Sequence, residues 1–161
     1  MQDAANTTHD KDENIDAKNL PIINVIQQYI KHLSFENDAI VDISTNQISL
    51  TEMPNVNVNI TAEASGVSQD TFEVRIKVTS SAITKDTNKE LFNISMIYGA
   101  VFTVSNIPHE DLEPVLLIYC PSIIFPFARR VISDITRDSG FPPLMLEMVD
   151  FAALYKNSKK Q

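Results

Sequence analysis

Apolar and polar residues alternate with a period of two in three stretches of the chain, the pattern of half-buried strands. In the first, Val56, Val58, Ile60 and Ala62 alternate with Asn57, Asn59 and Thr61, just after Pro54. In the second, Phe72, Val74, Ile76 and Val78 alternate with Thr71, Glu73, Arg75, Lys77 and Thr79, so a charged face lies opposite an apolar one. The third, residues 91–104, places Phe92, Ile94, Met96 and Tyr98 on one face and Ile97 and Val101 on the other, which predicts a strand covered in part on both sides. Gly99 inside it predicts a bulge or a close backbone approach, at which the alternation changes register towards Phe102 and Val104. Residues 20–36 fit two templates. Ile22, Ile26, Tyr29, Ile30 and Leu33 form a helical stripe, whereas Ile23, Val25, Tyr29, Leu33 and Phe35 alternate as in a strand, and periodicity slightly favours the helix.

From His109 onward helical spacing takes over. Leu112, Val115, Leu116 and Tyr119 share one face, and Ile124, Phe127, Ala128, Val131 and Ile135 make a second stripe. Pro121 and Pro126 lack the amide hydrogen a helix interior uses, so they kink this region or occupy first-turn positions. Gly140 suits a left-handed helix end, the prolines keep 141–149 extended, and Asp150 can cap a last helix carrying Phe151, Leu154 and Tyr155. Strands in meander order followed by helices predict an α+β fold with an antiparallel sheet, since parallel strands need a helix between them.

The two ends differ from this pattern. Residues 1–19 hold Asp3, Asp10, Asp12, Glu13 and Asp16 against Lys11 and Lys18 with almost nothing apolar, and read as a disordered acidic arm. Residues 158–161 read as a frayed basic tail, which leaves 20–157 as one domain. A net charge of −8 lacks the phosphate-neutralising field of a nucleic-acid binder. Three glycines, Gly66, Gly99 and Gly140, are too few and too scattered for a phosphate-cradling loop. The N-terminus has no apolar core of a secretory signal, and no apolar run approaches the ~20 residues of a membrane span, so a cytoplasmic protein is expected.

Candidate chemistry is sparse. His9, His32 and His109 are dispersed, and ordinary surface histidines are the simpler reading. Cys120, the single cysteine, has no basic neighbour in sequence and reads as a buried, inert thiol; no catalytic residue, metal site or cofactor is expected. Arg129-Arg130 reads as a solvated or ion-paired helix face. The apolar surplus says more: Phe125, Phe127, Phe141, Leu144, Met145, Leu146, Met148 and Phe151 crowd a segment broken by prolines. About half of these belong in the core, and the rest suit an oligomer interface or an adaptable apolar groove.

Tyr119-Cys-Pro-Ser-Ile-Ile-Phe-Pro-Phe-Ala-Arg129, followed by Gly140-Phe-Pro-Pro-Leu-Met-Leu146 and Asp150-Phe-Ala-Ala-Leu154, resembles the linked motifs of the SecB protein-export chaperone family. Gly99-Ala-Val-Phe-Thr-Val104 resembles that family's last strand and Leu33-Ser-Phe-Glu36 its first, so the likeness spans roughly residues 20–155. It implies four antiparallel strands, a long helix, an extended crossover and a C-terminal helix, and makes 20–36 a strand. It also implies a homotetramer of two dimers with no enzymatic activity, which holds unfolded preproteins without ATP and delivers them to the SecA motor of the translocase.

On this resemblance the crossover covers a client groove formed by Phe141, Leu144, Leu146 and Met148, with Phe125 and Phe127 nearby. The family presents acids on its exposed sheet face to the basic, zinc-containing tail of SecA. Glu36 matches one of them, while His32 and Ser95 stand where acids are usual, so the contact is expected at Glu36, Asp38 and Glu90, with His32 beside them. Two other readings share these features: a SecB-like chaperone of a toxin–antitoxin pair, and a carrier of small apolar ligands.

Overall fold

The computed structural model describes residues 20–49 and 52–160. Strands β1 (Ile22–Glu36), β2 (Asn55–Ser68), β3 (Thr71–Ile83) and β4 (Glu90–Ser105) form one antiparallel sheet in the order β1-β4-β3-β2. A single-turn helix α1 (Ile40–Ser44) follows β1. After β4 the chain runs through α2 (His109–Pro114), a π-helical turn (Val115–Tyr119) and α3 (Cys120–Asp138), then an extended crossover and α4 (Phe151–Ser158). The acidic arm expected over 1–19 lies outside the described residues. At the other end α4 continues to Ser158, into the segment read as tail.

The strand expected from the family likeness, and not the helix favoured by periodicity, is what residues 22–36 form. The reason lies in two bulges. β1 pairs with β4 throughout, but its register shifts between Val25 and Gln27 and again between Ile30 and His32. Each bulge inserts one residue and flips the phase of the side chains beyond it. Residues facing the helices are therefore Ile23 and Val25, then Gln28 and Ile30, then Leu33 and Phe35, as their partners on β4 show. Two phase flips in 15 residues imitate a helical period.

β4 needs no such device. Phe92, Ile94, Met96, Tyr98, Ala100, Phe102 and Val104 are all buried and all on one face, so alternation runs straight through Gly99. The register change expected there is absent; the close approach is real. A Cβ at Gly99 would sit 2.9 Å from Tyr29 Cζ, because the Tyr29 ring lies across the glycine from the neighbouring strand.

The helices cover β3 and β4. In α3 the buried stripe is Cys120, Ile124, Phe125, Ala128, Ile132 and Thr136, with Phe127 turned outward at 45% exposure. The sequence stripe through Phe127 is thus rotated by about one residue. The π turn explains it: a turn closed five residues on carries an extra residue, so Tyr119 swings out and Cys120 swings in. Pro121 sits in the first turn of α3, as expected, and Pro126 lies within the helix. Residues 109–138 are long and apolar enough to cross a membrane by composition, but their apolar stripe is packed on the sheet.

Gly140 ends α3 with φ +91°, and the amides of Gly140 and Phe141 bond to the carbonyls of Arg137 and Thr136 at 3.1 Å each. This is the Schellman arrangement expected of a helix stopped by glycine. Asp150 caps α4 through Ala153 N–H at 2.9 Å.

Candidate functional site

The crossover is fixed to the helix that precedes it. Thr136, fully buried, donates its hydroxyl to the carbonyls of Ile132 and Ser133 and accepts the Leu144 amide at 2.8 Å. Asn37 Nδ2 donates to Ser139 O at 2.9 Å, tying the end of β1 to the start of the crossover. Phe141 packs edge-on against Phe92 at 5.0 Å, and Phe92 stacks on Phe35 at 5.6 Å. With Pro142 and Pro143 removing backbone donors and fixing φ, the segment holds an extended path.

Beneath it lies a cleft of about 370 Å³. Leu91 and Phe92 of β4 form its floor, Phe141 and Leu144 one wall, and Met53, Pro54 and Val56 the other. Glu52 is the only charged group among the residues lining it. Such a surface offers desolvation and dispersion and few directional contacts, which suits apolar side chains of varied shape.

Of the residues expected to form a client groove, the structure brings Phe141 and Leu144 together here. It separates the others. Phe125 is 1% exposed and packs edge-on against Phe151 at 5.6 Å, so it anchors α4 and has no surface to offer a client. Leu146 is 3% exposed and belongs to the core as well. Phe127 and Met148 are exposed but lie outside this cleft; Met148 Sδ is 3.3 Å from Arg129 Nη1. Sequence reasoning missed Met53, Val56, Leu91 and Phe92. Val56, Leu91 and Phe92 read as parts of strands and Met53 as part of no element, and nothing local marks any of them as lying against a segment so much later in the chain.

The sheet's other face is free of helices. Cross-strand register places Thr61, Lys77, Ile97 and His32 in one row, and Glu63, Arg75, Gly99 and Tyr29 in the next. Glu73 accepts from Lys31 at 2.7 Å, from Arg75 Nη1 at 3.1 Å and from the Tyr29 hydroxyl. The Lys31 bond, then the Tyr29 bond, hold the Glu73 carboxyl below its ordinary range, while burial and then Glu73 push Tyr29 up to about 12. Glu36 and His32 are exposed on this face, opposite Asn93 and Ile97; Asp38 is exposed just beyond β1, and Glu90 is exposed at the first residue of β4, opposite Ile83. Three carboxylates, Glu36, Asp38 and Glu90, thus gather at one end, with His32 set apart towards the middle.

Comparison with known proteins decides what this arrangement belongs to. The model of the family described as "Preprotein translocase subunit SecB" matches residues 16–161. The protein-export protein SecB of Parvibaculum lavamentivorans is 42% identical over 141 residues, covering 88% of this chain and 81% of the relative. That of a Bradyrhizobium species is 38% identical over 154 residues, covering 96% and 92%.

The chain belongs to the SecB family.

Among solved structures, a SecB-like chaperone of Mycobacterium tuberculosis, in complex with a peptide from an antitoxin, superimposes with a TM-score of 0.63 at 13% identity over 79% of this chain and 90% of that one. That likeness establishes the shared α+β fold. As a SecB protein the chain is a protein-export chaperone, and the family is one of chaperones without enzymatic activity. Cys120 is fully buried, and burial alone raises its thiol to about 12, so it carries no reactive thiolate. Among the described residues no group of three or more His, Cys, Asp or Glu is placed to hold a metal ion.

Proposed function

We propose that this SecB protein acts in the cytoplasm as a homotetramer, holds unfolded preproteins by their apolar side chains in the cleft beneath the crossover, and passes them to SecA. The observation that carries this reading is the cleft itself: an apolar trough of about 370 Å³ between the free-edge strand β2 and a proline-stiffened segment. A trough lined by Phe141, Leu144, Phe92 and Val56 recognises exposed apolar side chains and no particular sequence, and the holding needs no cofactor.

Two further features support the reading. Ile22, Val25, Ile26 and Ile30 are each more than a third exposed along the free edge of β1, and Tyr119 and Phe127 are exposed on the helical layer, a surplus that self-association buries. Glu36, Asp38 and Glu90 give the end of the sheet the sign that a basic SecA tail requires.

Replacing Leu144 and Val56 together by Asp tests the cleft. Both side chains are partly exposed, so the fold and assembly persist, while each client must now desolvate a carboxylate. The expected result is loss of the ability to slow refolding of an unfolded preprotein, with an unchanged oligomer by light scattering. Unchanged holding would place the groove elsewhere. Export is favoured over a toxin–antitoxin role because the similar sequences, at 38–42% identity, are export proteins, whereas the antitoxin-peptide binder shares 13%.

A further inference from the structure

The outer face of the sheet, which acids would mark in a SecB protein built for a basic partner, is cationic at its centre. Lys31, Arg75 and Lys77 lie there with His32, against Glu63 and Glu73. Glu73 serves both Lys31 and Arg75, and Arg75 reaches only the exposed Glu63 besides, at 3.3 Å. Arg75 Nε is buried with no hydrogen-bond partner, and Lys77 is exposed with no carboxylate partner among the described residues. A sheet face with surplus positive charge and a partnerless guanidinium donor suits an acidic segment.

The same chain supplies one. Residues 1–19 carry five acidic side chains against two lysines. They enter the described structure at Leu20, whose carbonyl is held by Asn106 Nδ2 at 3.1 Å, and β1 then runs along the edge of this face. His32 lies ten residues beyond the start of β1, about 33 Å along the strand, and ten residues of extended chain from Leu20 back to Asp10 span a similar distance. At the start of α2 Glu110 and Asp111 repel an acidic segment, while Glu113 is already paired with Lys159 at 2.7 Å.

We propose that residues 1–19 fold back over the outer face of the sheet, with carboxylates among Asp10, Asp12, Glu13 and Asp16 against Arg75, Lys77 and Lys31. The arm then gives the centre of the face the negative sign that its strands lack. That consequence for SecA rests on the docking reading above; the intramolecular contact does not, and it is tested without SecA.

The Ile97 methyl group, between Lys77 and His32 in the cross-strand row, is the reporter. Methyl NMR of the full chain is compared with a full chain carrying Asp10→Asn, Asp12→Asn, Glu13→Gln and Asp16→Asn. At about 50 mM salt the Ile97 resonance should differ between the two, and the difference should vanish near 1 M, where screening acts within ~3 Å. Lys77→Glu alone should move Ile97 towards its position in the neutralised chain. Carbodiimide cross-linking of the full chain should join Lys77 or Lys31 to residues 10–16, with yields that fall as salt rises. Coincident Ile97 resonances at low salt, or cross-links confined to Lys156 and Lys160, would overturn the proposal; the second outcome would assign the arm to the end of α4.

Discussion

Thr136→Val removes one hydroxyl from a site closed to solvent. The side chain is fully buried, and its oxygen is the acceptor for the Leu144 amide at 2.8 Å while its hydrogen goes to the carbonyls of Ile132 or Ser133. Valine fills the same volume, so no cavity opens and the helix loses only a local bond to a carbonyl already engaged in its own turn. The Leu144 amide, by contrast, loses its partner in a part-buried position. Leaving such a donor unpaired costs about 1–3 kcal/mol, more than the ~1 kcal/mol net of an average hydrogen bond. For a folded unit of this size that corresponds to a thermal midpoint lowered by roughly 3–10 °C. The loss should be local as well as global. Hydrogen exchange at Leu144 should accelerate more than at Ala128 in mid-helix, and client holding should weaken because one wall of the cleft is no longer fixed. Thr136→Ser keeps the acceptor and should retain Leu144 protection, apart from the modest cost of a lost methyl group. If Thr136→Val melts with the parent protein and Leu144 stays protected, the crossover is held by the packing of Phe141 and Leu146 and the hydroxyl contributes nothing.

Three further outcomes follow from other features. Gly99→Ala should displace the Tyr29 ring, since the new Cβ falls 2.9 Å from Cζ, and should weaken the Tyr29–Glu73 bond; a tyrosine titrating near its ordinary value of ~10, and no longer at about 12, reports it by ultraviolet absorbance. Glu73 has a folded-state pKa below its unfolded one, so its contribution is complete above the unfolded value and is lost as pH falls through the lowered one; chemical denaturation should therefore show the parent losing stability relative to Glu73→Gln across that acidic window. Ile30→Asp, on the exposed edge of β1, should shift assembly towards smaller species in sedimentation velocity while leaving the monomer's circular dichroism intact, because Ile30 is 46% exposed within one chain.

Three strands were legible in the sequence because each keeps one period over most of its length, and the helices because their spacing departs from one period only at the π turn. β3 and β4 show it best: Val74 to Val78 and Phe92 to Val104 alternate without interruption. β1 was obscured by its two bulges, since a residue inserted between Val25 and Gln27 and another between Ile30 and His32 leave no stretch in one phase long enough to outweigh a helical stripe. Family motifs, which read identity and not period, were untouched by this. The site was legible only in part, for a related reason. Prolines 142 and 143 announce an extended apolar segment, but an extended segment has no fixed period against a core, so Phe141, Leu144 and Leu146 look alike until the sheet beneath them is in place. Phe125 and Phe127 were hard to separate because the π turn changes the phase of the helix just upstream, an irregularity with no mark of its own in the composition of Val115–Tyr119.

The bulges of β1 also decide where this chain tolerates a change in length. Ile26 and Lys31 have no residue opposite them on β4, so neither holds a rung of the ladder. Removing one of them closes a bulge and leaves each later residue facing its present neighbour, whereas a deletion between Gln27 and Ile30 can be absorbed at a bulge only if the residues lying between the gap and that bulge change partner and face. A single-codon deletion scan along this edge should therefore be periodic in a way no hydropathy plot anticipates, with viable gaps at two positions and failures between them.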